Sequence, residues 1–175
     1  QEGKDEVLSV KGSIRYVFDK EVKLFRDRVV TDVEPKDFAK LTITSKNGTF
    51  TFEKAEDKWV APKGQKAIEK FSDAKVQSLV STLSRLRAAD FAEPNDTEDA
   101  IGFAQPTATA VLTTKEGKVT TLVLGREHAN TREYYLRVDG NPVVYRISKF
   151  TAERMTPDAK AFQEDEKKPD APAPQ

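Results

Sequence analysis

An α+β fold follows from three features of the sequence. Short runs of β-branched and aromatic residues alternate with polar ones and are joined by glycine-containing turns, the pattern of antiparallel hairpins. One amphipathic helix interrupts them, its apolar residues spaced three and four apart. The same order of elements recurs in the second half. The expected architecture is therefore antiparallel hairpins forming one or two sheets, a helix packed on one face, and two related half-repeats.

Taken in order, residues 1–12 are expected to be frayed. A strand follows over 13–18, then a short helix over 19–28 carrying Val22, Leu24 and Phe25. A helical turn over 34–38 holds Pro35 just inside its start. Strands over 41–44 and 50–52 flank Asn47-Gly48, the pair expected at the centre of a tight hairpin turn because both residues accept positive φ. Lys58-Trp59-Val60 gives a third strand, ended by Pro62. A polar connector leads to a helix over 73–88, with Val76, Leu79, Val80, Leu83 and Leu86 on one face and Ser72 or Asp73 as its cap. Residues 93–99 form an acidic loop.

The second half gives strands over 109–113, 119–124, 133–138 and 143–147, with Gly125 expected as a turn glycine and 126–131 as a polar loop. Short helices are expected over 149–154 and 157–162. The hairpin 41–54 matches 110–124, and 13–25 resembles 143–162. The domain is thus expected to span 13–163, in halves of about 13–92 and 93–163. The charged, Pro/Ala-rich residues 164–175 follow as a disordered tail.

Composition excludes several function classes. The 175 residues contain no cysteine, which removes disulfides, thiolate metal sites and cysteine nucleophiles. One histidine, His128, leaves no histidine cluster for a metal or a proton relay. Twenty-nine basic and 29 acidic residues balance to zero net charge, which gives little long-range attraction for nucleic acid or anionic lipid. No apolar run approaches the roughly 20 residues that span a bilayer. The chain begins at Gln1 rather than Met, and the expectation is a processed or excerpted product whose anchoring segment lies upstream.

The candidate chemistry is sparse. His128, with Arg126, Glu127 and Glu133 nearby, reads either as a general base or metal ligand, or as a solvated loop histidine. Glu93, Asp96, Glu98 and Asp99 can present oxygens to a cation but lack the spacing and central glycine of a calcium loop, so a solvated acidic loop is the better reading. No serine-nucleophile elbow and no phosphate-binding glycine loop is present. Arg132, Tyr134, Tyr135, Arg137, Tyr145 and Arg146 interleave aromatic and basic residues, with Tyr135 and Arg137 on one strand face. Without a basic net charge or the sheet motif of an RNA-recognition domain, they do not point to nucleic acid. Trp59 is either a partner anchor or a core residue, and burial is the default for its large apolar area. No catalytic, cofactor-binding or metal residue is assigned and no cofactor is expected. The candidates for ligand or partner contact are Trp59, Arg126, His128, Arg132 and Tyr135.

The run Leu41-Thr42-Ile43, Asn47-Gly48-Thr49-Phe50-Thr51-Phe52-Glu53, Trp59 and Pro62, followed by Asp73, Val76, Leu79, Leu83 and Leu86-Arg87-Ala88, resembles a bacterial repeat family of unknown function. So do Ile101-Gly102-Phe103, Pro106, Val111-Leu112, Gly117-Lys118, Leu122-Val123-Leu124-Gly125, Tyr135 to Gly140 and Val143 to Ile147. The resemblance covers about residues 25–162. It implies a domain carried behind one N-terminal membrane helix, linked to the gliding-motility-type ABC transporter system and its auxiliary extracytoplasmic component. It brings no catalytic residues.

The expected function is a non-enzymatic, extracytoplasmic interaction module on the periplasmic side of a bacterial membrane. Its partners are proteins, among them transporter components. Nucleic acid is not expected, and the membrane is reached only through a segment outside this chain. The alternative is a ligand-binding or hydrolytic envelope domain with a groove near His128. A third reading uses exposed strand edges for partner-strand addition. A deep pocket at His128 with a carboxylate in hydrogen-bond reach favours the hydrolytic domain, and a solvated loop there favours the module.

Overall fold

The computed structural model describes residues 26–62 and 67–165. The frayed start, the strand over 13–18, most of the helix over 19–28 and most of the tail fall outside them. Residues 26–28 are bent and extended rather than helical.

Strands β1 (Phe38–Ser45), β2 (Gly48–Ala55) and β3 (Lys58–Val60) come first, after a short 3-10 turn at Pro35–Asp37 with the proline at its start. Helix α1 (Asp73–Ser84), the short β4 (Asp90–Phe91) and the single-turn α2 (Glu98–Ile101) follow. The chain continues through β5 (Ala108–Thr114), β6 (Val119–Glu127), β7 (Tyr134–Val138) and β8 (Val144–Ile147). It closes with α3 (Lys149–Arg154) and a 3-10 turn at Ala159–Phe162. The strands form one eight-stranded sheet, ordered β3-β2-β1-β5-β6-β7-β8-β4, with every pairing antiparallel. Two meanders, β1-β2-β3 and β5-β6-β7, therefore meet across the β1–β5 pair. The β1-β2 and β5-β6 hairpins each contribute one strand to that pair.

Alternation sets the two faces. β5 reads buried, half-buried, buried along its whole length, with Ala108, Ala110, Leu112 and Thr114 turned inward. Register carries the inner face across the sheet: Leu112 opposes Leu41, which opposes Phe52, while Ala108 opposes Leu124, which opposes Leu136. Helix α1 lays Val76, Leu79, Val80 and Leu83 into the same core. Full burial of such side chains contributes roughly 1.5–3 kcal/mol each, so this face holds the fold together. Phe162, from the closing 3-10 turn, packs 4.6 Å from Phe52 and 5.3 Å from Phe50 between ring centroids.

Several local expectations are corrected. The β1–β2 turn is centred on Lys46 and Asn47, with Ser45 paired to Gly48, so of the Asn-Gly pair only Gly48 takes a positive φ, of 118°. Helix α1 stops at Ser84, four residues before 88. The reason is an incoming extended segment that satisfies the last carbonyls. Thr31 Oγ1 donates to the Leu83 carbonyl at 2.5 Å, Val33 N donates to the Ser84 carbonyl at 2.9 Å, and Val30 N donates to the Leu86 carbonyl at 2.9 Å. Leu86 and Ala88 remain buried, but at the two-residue spacing of extended chain. Ser72 stands at the helix N-cap without a side-chain cap bond. Finally, Arg126 and Glu127 continue β6 instead of forming a loop, and Gly125 lies inside that strand.

The outer face of the sheet is rich in threonine and valine. Thr42 and Thr51 hydroxyls meet at 3.3 Å and those of Thr44 and Thr49 at 3.2 Å. Thr109, Val111, Thr121 and Val123 extend the same half-buried surface. At its β7–β8 end this face changes character and becomes charged.

Candidate functional site: a charge cluster on the outer face

Three residues lie in one row where β7, β8 and β4 run side by side. Tyr135 opposes Arg146, and Arg146 opposes Asp90. All three point to the outer face, because their neighbours Leu136, Tyr145 and Phe91 oppose one another on the core face. A bulge brings in the fourth group. Leu124 pairs with Leu136, but the next pairing is Glu127 with Tyr134, so β6 carries one extra residue at Gly125-Arg126. That insertion re-aims the chain beyond β6. His128 N then donates to the Glu133 carbonyl at 2.6 Å, and its ring sits edge-on to Tyr135 with centroids 5.6 Å apart.

Arg146 is the hub. Its side chain is only 5% exposed, and its Nη2 donates to Asp90 Oδ2 at 2.8 Å. Glu93 Oε1 lies 4.0 Å from the same nitrogen. Nε faces Glu133 Oε2 at 3.3 Å, an ion pair by distance whose N–H is not aligned on the oxygen as a hydrogen bond. Nη1 stands 3.3 Å from His128 Nε2. A guanidinium can only donate, so Nε2 accepts in this contact, while Asn130 N donates to Nδ1 at 3.4 Å. The Thr131 hydroxyl lies 3.0 Å from Nδ1 and donates to Glu133 Oε2 at 3.2 Å. The ring closes on Arg146. Each member is oriented by the next, and neither imidazole nitrogen is left over for a substrate.

Tyr135 completes the cluster. Burial pushes its phenol up to about 12, with the hydrogen-bonded Asp96 carboxylate adding to the effect. At neutral pH it is a neutral donor, without the phenolate a nucleophile or base requires. Tyr134 is raised too, first by burial and then by Glu127, whose Oε2 accepts from its hydroxyl at 3.2 Å. A consequence can be measured. A group with a folded-state pKa above its ordinary value of roughly 10 stabilises the fold fully below that value. The stability is lost as pH rises through about 12. Denaturant unfolding between these limits should show a fall of roughly 2 kcal/mol, because across that interval the unfolded chain releases the phenol proton and the folded one retains it. Tyr135→Phe should flatten that fall while removing about 1 kcal/mol at neutral pH. An unchanged alkaline slope in the variant would contradict the assignment.

The sequence candidates separate cleanly. His128 and Tyr135 are brought together in the cluster. Arg126 lies beside it and does another job: its alkyl chain covers Gly102, and its Nη1 donates to the Asp99 carbonyl at 3.0 Å, holding α2 against β6. Arg132 is exposed in the turn before β7, with φ of 56°, and its side chain binds no described residue. Trp59 is 1% exposed in the core, where its Nε1 donates to Gln77 Oε1 on α1 at 2.9 Å, so it is no partner anchor. Arg146 and Asp90 are not marked as site residues by sequence pattern. The available signal was an arginine inside the apolar run Val143-Val144-Tyr145-Arg146-Ile147. The acidic loop is partly tied down, because Asp96 accepts from Glu93 N at 2.7 Å as well as from Tyr135. Among the described residues, no group of three or more His, Asp or Glu side chains is placed to hold a metal ion. No described helix is long and apolar enough to cross a membrane.

The cluster draws its residues from two parts of the chain. Residues 1–106, which hold Asp90, Glu93 and Asp96, match a family described as a domain of unknown function, DUF4340. His128, Glu133, Tyr135 and Arg146 lie beyond that span. No curated protein and no solved structure matches the chain. The match takes in β1 to β4, α1 and α2, the first meander with its packed helix, and on that extent the chain belongs to the DUF4340 family of domains of unknown function.

Proposed function

We propose that the domain is a non-enzymatic interaction module on the extracytoplasmic side of a bacterial membrane, an accessory to an ABC-type transport or motility system. The observation that carries the non-enzymatic part is the closed Arg146–His128–Thr131–Glu133 ring. The one histidine of the chain is spent inside the protein, and the phenol beside it is held neutral. A general base needs a free lone pair within reach of its substrate, and the imidazole in this ring offers none. Among the described residues, what the fold leaves uncovered is the half-buried Thr/Val face and the hairpin turns. The extracytoplasmic and transporter parts rest on the family resemblance and on a cysteine-free composition, which suits an oxidising compartment.

Crosslinking mass spectrometry on the protein in its native membranes tests the proposal. Exposed Lys46 and Lys115 at the hairpin turns serve as reporters. Crosslinks to a transporter permease or its auxiliary subunit are expected. Crosslinks confined to the domain itself would overturn the reading.

A further inference from the structure

Arg137 and Arg146 stand two positions apart in register on the same outer face, Arg146 opposing Tyr135 and Arg137 opposing Val144. Their surroundings differ sharply. Arg146 has three carboxylates within 4.0 Å. Arg137 has no ion pair and no hydrogen bond with any described residue, and its Nε is shut off from solvent without an acceptor. Buried donors are nearly always satisfied, so a shielded Nε without an acceptor on a half-buried arginine stands out.

The side chain is nonetheless held in place. Its guanidinium lies over the Phe103 ring, 4.7 Å from the centroid, a stacking that leaves the outer donors of the fork free. It borders a cavity of about 390 Å³, walled by Ile101, Phe103 and Val144, with Glu98 and Asp99 at the exposed rim. That volume suits a compact ligand. One cation, apolar walls and an acidic rim define the chemistry. The fork matches a planar carboxylate. The walls take an aliphatic group attached to it. The rim disfavours multiply charged anions such as phosphates.

We propose that this cavity is a binding site for a single carboxylate borne on a compact apolar group, with Arg137 as its counter-ion. Such a group is carried by a small aliphatic acid or by the C-terminal residue of a peptide chain. The site holds independently of docking on a transporter, since it asks only for this chemistry.

The test uses the Nε–Hε signal of Arg137 in nitrogen–proton NMR spectra, visible because that proton is shielded from solvent. The probes are N-acetylleucine, a pentapeptide ending in leucine with a free carboxylate, and the same peptide amidated. The two free acids are expected to move the Arg137 signal saturably, with dissociation constants of about 1 mM or below. The amidated peptide should not move it. Equal affinity of the two acids assigns the site to a free acid, and tighter binding of the peptide assigns it to a chain terminus. Glu98→Gln, which removes repulsion at the rim without touching the fork, should tighten binding about two- to threefold. Arg137→Gln, read on the backbone amide signals of Phe103 and Val144 because the Arg137 signal is gone, should weaken it at least about tenfold. Absence of any shift at about 10 mM of either acid, or an equal shift with the amidated peptide, would overturn the proposal.

Discussion

Replacing Arg146 with methionine is expected to lower the stability of the folded domain by about 3–5 kcal/mol. The side chain is 5% exposed and faces Asp90 and Glu133, which are 22% and 23% exposed. Methionine fills much of the volume but removes the guanidinium that both carboxylates face. His128 Nε2 also loses its donor, and the ring through Thr131 opens. For a chain of this length the loss corresponds to roughly 6–20 °C in Tm. Arg146→Lys keeps the charge but not the fork, and should cost about 1–2 kcal/mol, since one ammonium cannot serve Asp90, Glu133 and His128 together. The single tryptophan, Trp59, is buried against α1 and gives a fluorescence readout distant from the substitution. A methionine variant as stable as the parent would mean that the cluster contributes nothing to folding.

The second large effect is expected at Gly125. A Cβ there would fall 2.2 Å from the Ile101 carbonyl oxygen, 3.1 Å from the Phe103 ring and 3.2 Å from Tyr135 Cβ. The nearest obstacle is backbone, so the clash cannot be relieved by a rotamer. Either α2 lifts off β6 or the bulge rearranges. Gly125→Ala should therefore cost about 2–3 kcal/mol, or roughly 4–12 °C in Tm. Gly48→Ala provides the contrast. Gly48 has φ of 118° but open space around its Cβ position, so only backbone strain of about 1 kcal/mol is expected. If the two variants lose the same stability, close packing of α2 on the sheet is not what requires glycine at 125.

These two residues also show what the sequence could and could not reveal. Hairpins, the third strand and the amphipathic helix were legible because they rest on local periodicity: β3 and α3 fall where the pattern puts them, and α1 starts at Asp73. The end of α1 was not legible. Leu86 fits a helical spacing and an extended one equally, and the choice is made by Thr31, some fifty residues earlier in the chain. Gly125 reads as a turn glycine until α2 is seen to press on it. The two-residue β4 carries too little pattern to detect, yet it supplies Asp90. His128 and Tyr135 were singled out by residue type. Their meaning came from Arg146, and only the strand register brings that residue beside them.

The central claim is that the ionisable groups of the Arg146 cluster are bound to one another, which leaves function to the surface around them. A double-mutant cycle between Arg146 and Glu133, read by denaturant unfolding of Arg146→Met, Glu133→Gln and the double variant, tests it most directly. The ring predicts a coupling of about 1–3 kcal/mol, with the double variant more stable than the two single losses would give if they added. A coupling below roughly 0.3 kcal/mol would contradict it, and would free His128 and Glu133 for chemistry of their own.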